Sequence, residues 1–377
     1  MGKRTVIDSN IIYENGEAVV ENSKKVKKPA DKRKRKKRII IVCVSLVLLL
    51  VAGYLTFAFG NFYPVRQLRE IYIETAMTTD EHQWLATMFF PKSVIDKVMT
   101  GQVEDIDGIN EADIRLDETE KDILGQKKLK VGDLDYAGNE ILINDIEQGI
   151  VVSRVQGEGY VGKIMLIDDP SRVFLGVTDY WGTRGQFMVD LLASYDAIAG
   201  INASGFVDPQ GHGSGGTTTS AFRIHGDDWG KYSYGQLTFG FNRDNKLVMG
   251  TIPINEWDDY NLRDCCQFGP ALIVDGEQLV YESAGYGLHP RSIIGQRADG
   301  VVMLLIIDGR QLGYSIGATL GTCAEIMLDY KAVSAAACDG GSSAVMGYDG
   351  AIITTPSTSS LRSTGRYLPN AWLVRRK

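Results

Sequence analysis

Cysteine is scarce. There are five in 377 residues; Cys43 falls in an apolar stretch near the N-terminus, leaving Cys265, Cys266, Cys323 and Cys338 for the rest of the chain. So few thiols over such a length cannot staple a disulfide scaffold. No C-x-x-C pair is present, which removes the commonest zinc-binding pattern. Adjacent Cys265 and Cys266 are badly placed to pair with each other. Cys323 and Cys338 stand in apolar patterns and read as core thiols, with a bridge between them left open. Positive charge is also short once residues 1–38 are set aside: these hold 13 Lys/Arg against 5 Asp/Glu, while the other 339 hold 27 against 42. A chain so acidic lacks the basic face that nucleic acid requires, although a few clustered arginines can hold one phosphate group. Strand–helix alternation is missing and no glycine-rich loop opens a helix, which argues against a nucleotide fold.

Long hydrophobic runs are rare too, with one clear exception. Residues 39–59 (IIIVCVSLVLLLVAGYLTFAF) carry no charge, and as a helix they would cross a hydrocarbon core about 30 Å thick. Directly before them stands KRKRKKR, residues 32–38. A basic run of this kind stays on the cytoplasmic side, so the expected topology has residues 1–38 as a cytoplasmic tail and 39–59 as an uncleaved plasma-membrane anchor. Everything after Phe59 is then extracellular.

Residues 60–140 read as a helical stalk and linker. In PVRQLREIYIETAM the apolar positions fall near helical spacing behind Pro64. Thr79 or Asp80 is a candidate cap for a second helix through HQWLATMFF, and 101–140 is acidic with weak periodicity. From 141 to 377 short apolar runs alternate with glycine turns, and Asp275-Gly276, Asp299-Gly300 and Asp349-Gly350 each mark a hairpin. Two segments, GQFMVDLLASYDAIAG and ATLGTCAEIMLDYKAV, have helical faces. The expected class is α+β: a mixed or antiparallel sheet domain with a few helices, preceded by one transmembrane helix.

Four loops concentrate polar groups at strand ends. One carries Asn202, able to bond a sugar hydroxyl, beside Gly205. A second is His289-Pro290-Arg291, offering a general acid or base and a planar guanidinium. A third is Asp308-Gly309-Arg310 at the end of a buried strand. The fourth, Asp339-Gly340-Gly341-Ser342-Ser343, joins a carboxylate to glycines and serines whose amides can form an anion nest. It can also be read as a nucleophile elbow, but the following AVMGYDGAII looks like a hairpin and not the helix that motif expects.

In order and spacing, RSIIG, LLIIDGR, AEIMLDY and ACDGGSSA resemble the phosphodiester glycosidase domain, the family of N-acetylglucosamine-1-phosphodiester α-N-acetylglucosaminidase. Arg291, Asp308-Gly309, Glu325, Asp339-Gly340-Gly341 and Ser343 occupy its motif places, Asn202 matches its Asn-Gly-Gly-Phe, and Asn370 its final strand. The likeness covers about 150–377. Ser342 replaces a motif glycine and Ala203-Ser204 replace the paired glycines after the asparagine. The anchor and the TAMTTDEHQWLAT segment resemble bacterial members associated with surface polysaccharides.

The resemblance implies hydrolysis of a sugar-1-phosphodiester at the glycosidic bond. It implies Asp339 as base or nucleophile, Asp308 as second carboxylate and His289 as proton donor to the bridging oxygen. Arg291, Arg310 and the Gly340–Ser343 loop would hold phosphate, with Asn202, Glu325 and Asn370 as further contacts. No cofactor is required; a divalent cation is compatible with the carboxylates. The expected partners are a sugar phosphate or wall glycopolymer and the membrane, with no nucleic acid; no protein partner is indicated. Two rival readings are a non-catalytic binder of phosphate-linked glycopolymer and a serine esterase using Ser342 or Ser343.

Overall fold

The computed structural model describes residues 11–14, 17–20, 32–79, 82–99, 108–111, 114, 127–208, 213–282, 286–357 and 363–377. Most of the basic tail, Asp80 and much of 101–126 lie outside them. The chain divides into two units, Met1–Arg66 and Gln67–Lys377.

In the first unit, Ile11–Glu14 and Glu17–Val20 form a two-stranded hairpin, and helix α1, Lys32–Phe59, contains the apolar stretch. Residues 34–59 are long and apolar enough to cross a membrane, and their large side chains are exposed, Leu50 at 74%. Helix α2 runs Tyr63–Met77 across the boundary between the units.

The second unit is a mixture of helices and antiparallel sheets. Helices α3 (Gln83–Thr87) and α4 (Lys92–Met99) follow α2. At α3 His82 takes the cap position without a side-chain bond, and the Thr79 hydroxyl donates back to Ala76 O; Asp80, the other expected cap, lies outside the described residues. Eight strands make the largest sheet, in the order Glu277–Gln278, Ala271–Val274, Ala332–Cys338, Arg291–Arg297, Val302–Ile307, Tyr160–Ile167, Ile150–Gly157, Ile141–Asp145. A five-stranded sheet holds Ala197–Asn202 between Met346–Tyr348 and Asn370–Arg375, and a six-stranded sheet is centred on Leu262–Gln267 and Thr238–Asn242.

All three sheets contribute to one core. The strand Val302–Ile307 shows how: Val302, Leu304 and Ile306 enter that shared core with Leu175, Ile201, Phe239 and Trp372. Met303, Leu305 and Ile307 enter a second core beneath helix α6, Leu320–Asp329. Successive side chains point to opposite faces, so a strand covered on both sides is apolar at every position. Burying each such aliphatic side chain contributes about 1.5–3 kcal/mol. Helix α6 starts at Thr319, whose hydroxyl accepts from Thr322 N, and presents Leu320, Cys323, Ala324 and Met327 to the sheet. Helix α5, Met188–Ser194, covers the outer face of the five-stranded sheet with Met188, Leu191 and Leu192.

The cysteines are free. Cys323 lies in the core under α6 and Cys338 in the shared core, on opposite sides of the sheet, so they do not bridge. The three Asp-Gly hairpins form; Asp275 and Gly276 (φ 52° and 78°) and Asp349 and Gly350 (φ 45° and 74°) take the paired left-handed conformation of tight hairpin turns. Gly157–Lys163 happens to carry the spacing of a phosphate loop. It closes the hairpin between Ile150–Gly157 and Tyr160–Ile167 with no helix following, so it has none of that loop's geometry.

One buried polar residue matters for register. Gln296 is fully buried in the central strand; its Oε1 accepts from Leu247 N at 2.7 Å and its Nε2 donates to Asn245 O and Gly300 O.

Candidate active site

Antiparallel pairing gathers the site. Arg291 pairs with Ile307 and Ser292 with Cys338, so the start of one strand and the ends of its two neighbours share one edge of the large sheet. His289, Arg310 and Asp339–Ser343 therefore meet, and they line a cavity of about 760 Å³. Gly205, Phe206, Asp208 and Phe268 line it from the other sheets, and Arg366 and Tyr367 from the segment before the last strand.

Asp339 is partly open to the cavity. Desolvation raises its carboxyl from the ordinary range to about 6, a shift held back by the Ser343 hydroxyl bonded to it and by Arg366 and Arg310, and increased by Asp208. Asp208 forms an ion pair with Arg366, whose guanidinium lies 4.5 Å from the centre of the Phe206 ring. The second cavity carboxylate is thus Asp208. Asp308, expected in that role, is 2% exposed and is not part of the cavity wall. Its oxygens accept from Tyr314 Oη at 2.8 Å and Thr355 N at 2.9 Å, tying down the 310–315 turn.

Arg291 is 7% exposed and borders the cavity, but its Nε donates to Ala318 O and one Nη to Tyr286 O and Gly287 O. Burial lowers it to about 10, and among the described residues no carboxylate lies within ion-pair distance. It leaves a buried positive field at the site more than a free gripping hand. Arg310 is the fork that reaches in: Nη2 meets His289 Nδ1 at 3.2 Å and Nη1 meets Ser342 Oγ at 3.3 Å. Gly341 (φ 59°) lies under it; a Cβ there would stand 3.2 Å from Nη2. His289 is pushed down to about 3 by burial and by Arg291 and Arg310, and is neutral near pH 7.

The amide nest is narrower than the glycines suggest. Gly341 N donates to Pro290 O, Ser343 N to Gly340 O and Ala344 N to Gly341 O. Among the described residues the amides of Gly340 and Ser342 have no such partner, and both residues line the cavity. The loop continues as a 3-10 turn, Gly341–Ser343, into the strand Met346–Tyr348, so no elbow-to-helix geometry exists. Ser342 Oγ meets Arg310 and the Ser343 hydroxyl meets Asp339; among the described residues no histidine bonds either serine.

Three expected contacts lie outside the cavity wall. Asn202 is 1% exposed; its Nδ2 donates to Asp339 O at 2.5 Å and its Oδ1 accepts from Val345 N at 3.2 Å, bracing the Asp339 loop from below. Asn370 is fully buried and holds Ser204 through both amide atoms, which explains why Ser204 is tolerated where a glycine was expected. Glu325 is exposed on α6. Among the described residues no group of three or more His, Cys, Asp or Glu is placed to hold a metal.

Sequence reasoning passed over Asp208, Arg366 and Thr78. The available signal for Asp208 was the glycine-dense stretch 205–216, too long for a simple turn. Thr78, Thr79 and His82, far upstream, also line the cavity.

Residues 195–375 match the phosphodiester glycosidase family. No curated protein matches the chain. Among solved structures, the catalytic domain of zebrafish N-acetylglucosamine-1-phosphodiester alpha-N-acetylglucosaminidase, auto-inhibited by its pro-peptide, is 17% identical with a TM-score of 0.50, over 60% of this chain and 82% of that one. A hypothetical protein from Synechocystis is 16% identical with a TM-score of 0.43, over 60% and 62%. The first of these shows a shared fold.

Proposed function

We propose, from the match of residues 195–375 to the phosphodiester glycosidase family, that this protein hydrolyses the glycosidic bond of a sugar-1-phosphodiester. The observation that carries the reading is one cavity in which a carboxylate raised to about 6, Asp339, feels the guanidinium groups of Arg310 and Arg366, with the buried Arg291 also on its border.

A phosphate leaving group is already anionic, so the reaction depends less on a strong general acid than ordinary glycoside hydrolysis does. It depends on cations that take up charge as the C1–O bond breaks. Arg310 with the Gly340 and Ser342 amides receives the phosphate, and the buried charge of Arg291 adds to the field. Asp339 acts at the anomeric carbon, as nucleophile or as base toward water; Asp208, held by Arg366, is the second carboxylate. Water oxygen ends on the sugar, and the phosphate departs as a monoester. His289 is neutral and bonded on both nitrogens, so it orients Arg310 and does not need to carry a proton.

Membrane attachment through residues 34–59, with the basic run inside and this domain outside, belongs to the same proposal, as does a substrate in surface polysaccharide. The test is turnover of sugar-1-phosphodiesters in ¹⁸O-labelled water. Label in the released sugar supports the reading. Label in the phosphate makes the protein a phosphodiesterase, and saturable binding without turnover makes it a glycopolymer binder.

A further inference from the structure

The C-terminal turn of helix α2 meets the loop that carries His289. Thr75 Oγ1 accepts from Leu288 N at 3.1 Å. Gly287 (φ 59°) sits so close to that turn that a Cβ would stand 2.6 Å from Thr75 N. Thr78 Oγ1 lies 2.7 Å from His289 Nε2 and donates to Glu74 O, also at 2.7 Å. Glu74 itself is buried and contributes a compensating charge to Arg291.

These contacts fix the proton positions. Arginine has only donors, so His289 Nδ1 must accept from Arg310. In a neutral imidazole the other nitrogen then carries the hydrogen, and Nε2–H donates to Thr78 Oγ1. The Thr78 hydrogen goes to Glu74 O. Each of the three bonds Arg310–His289, His289–Thr78 and Thr78–Glu74 then has one donor and one acceptor, and no other assignment of the two ring nitrogens satisfies both neighbours.

We infer that Thr78 is a positioning residue of the active site: by accepting from Nε2–H it anchors the His289 ring, whose tautomer Arg310 sets, and through that ring it aims Arg310 into the cavity. Thr78 lies more than 100 residues before the family region begins at 195. The segment after the apolar helix is therefore a working part of the site, and a protein trimmed to the family region would lack it. The effect on turnover rests on the proposed reaction; the effect on His289 does not.

The experiment uses the full chain in detergent or nanodiscs, labelled with ¹⁵N-histidine, and compares Thr78→Val, Thr78→Ala and Thr78→Ser. Histidine ¹⁵N shifts report the tautomer directly, with His289→Gln assigning the resonance. In the parent and Thr78→Ser proteins His289 should show a single Nε2–H form. In Thr78→Val and Thr78→Ala, which offer Nε2–H no acceptor, the Nε2 resonance should shift and its hydrogen should exchange faster with water, with kcat/KM on a sugar-1-phosphodiester lowered about tenfold, the scale of one hydrogen bond, and recovered in Thr78→Ser. An unchanged His289 signature in a folded Thr78→Val or Thr78→Ala protein overturns the inference. An altered signature in a protein that turns over no phosphodiester keeps it and rejects the glycosidase reading instead.

Discussion

Arg310 donates from Nη2 to Nδ1 of His289 across 3.2 Å. That acceptor is neutral, as is Ser342 Oγ on the other amino group, so neither cancels the guanidinium charge. A ligand phosphate would meet a cation already aimed. Arg310→Ala is expected to lower kcat/KM by about 10²–10³, the cost of removing one preorganised oxyanion donor. Arg310→Lys should recover only part of it, because a point charge cannot bond His289 and phosphate as a planar fork does. Steady-state kinetics with a sugar-1-phosphodiester would check both.

Asp339→Asn should abolish turnover while leaving thermal stability unchanged or higher. The reason is the direction of the shift. A carboxyl raised from 3.8 to about 6 binds its proton more tightly in the folded state, so its contribution to stability falls as pH rises through that window. At pH 7 the native protein carries an ionised, desolvated carboxylate at a cost, and the amide relieves it. Paired activity and melting measurements decide this; a folded Asp339→Asn protein with parental activity would remove Asp339 from the mechanism.

The pH profile of kcat/KM should rise with a single limb near 6 and stay flat above it to about pH 8. The limb belongs to Asp339, which must be ionised to act. His289, pushed down to about 3, does not titrate in that range. In His289→Gln the rate should fall but the limb should remain near 6. A limb that vanishes in His289→Gln would assign it to the imidazole.

Asn202→Ala should act on the fold and not on substrate contact. Its amide braces Asp339 O and Val345 N from within the core, so truncation leaves two buried groups unpaired and costs about 1–3 kcal/mol. Denaturant melts would show the loss, and KM for small substrates should change less than kcat as the Asp339 loop drifts.

The sheet domain was legible because its local signals agree. Apolar strand runs, Asp-Gly hairpins and a capped α6 all point one way, and an edge carrying His289, Arg310 and Asp339 follows once the strands pair. The roles within that edge were less legible. Arg291, Asn202 and Asp308 read as ligand groups because each is polar and ends or opens a strand. A buried polar residue that braces a loop has that same pattern, and which side of the backbone it faces is settled by neighbours from other sheets. Asp208 reaches the cavity from a segment with no strand or helix pattern of its own, and Thr78 from the end of a helix whose spacing does not say where that end docks.

The two-sided strand Val302–Ile307 has a further consequence for how the domain finds its pairing. A strand apolar on both faces gains nothing from one alignment over the next, since a slide by one residue swaps one set of greasy side chains for another. Hydrophobicity alone would let the sheet settle one notch out of place, parting His289 from Arg310 and Asp339. Gln296 forbids this. Three backbone partners must line up with its amide at once, and a slid sheet would strand the two buried ones, Leu247 N and Gly300 O, in the interior. The fidelity of a site at the end of the sheet is thus written into a single uncharged side chain near the far end of the neighbouring strand, Arg291–Arg297.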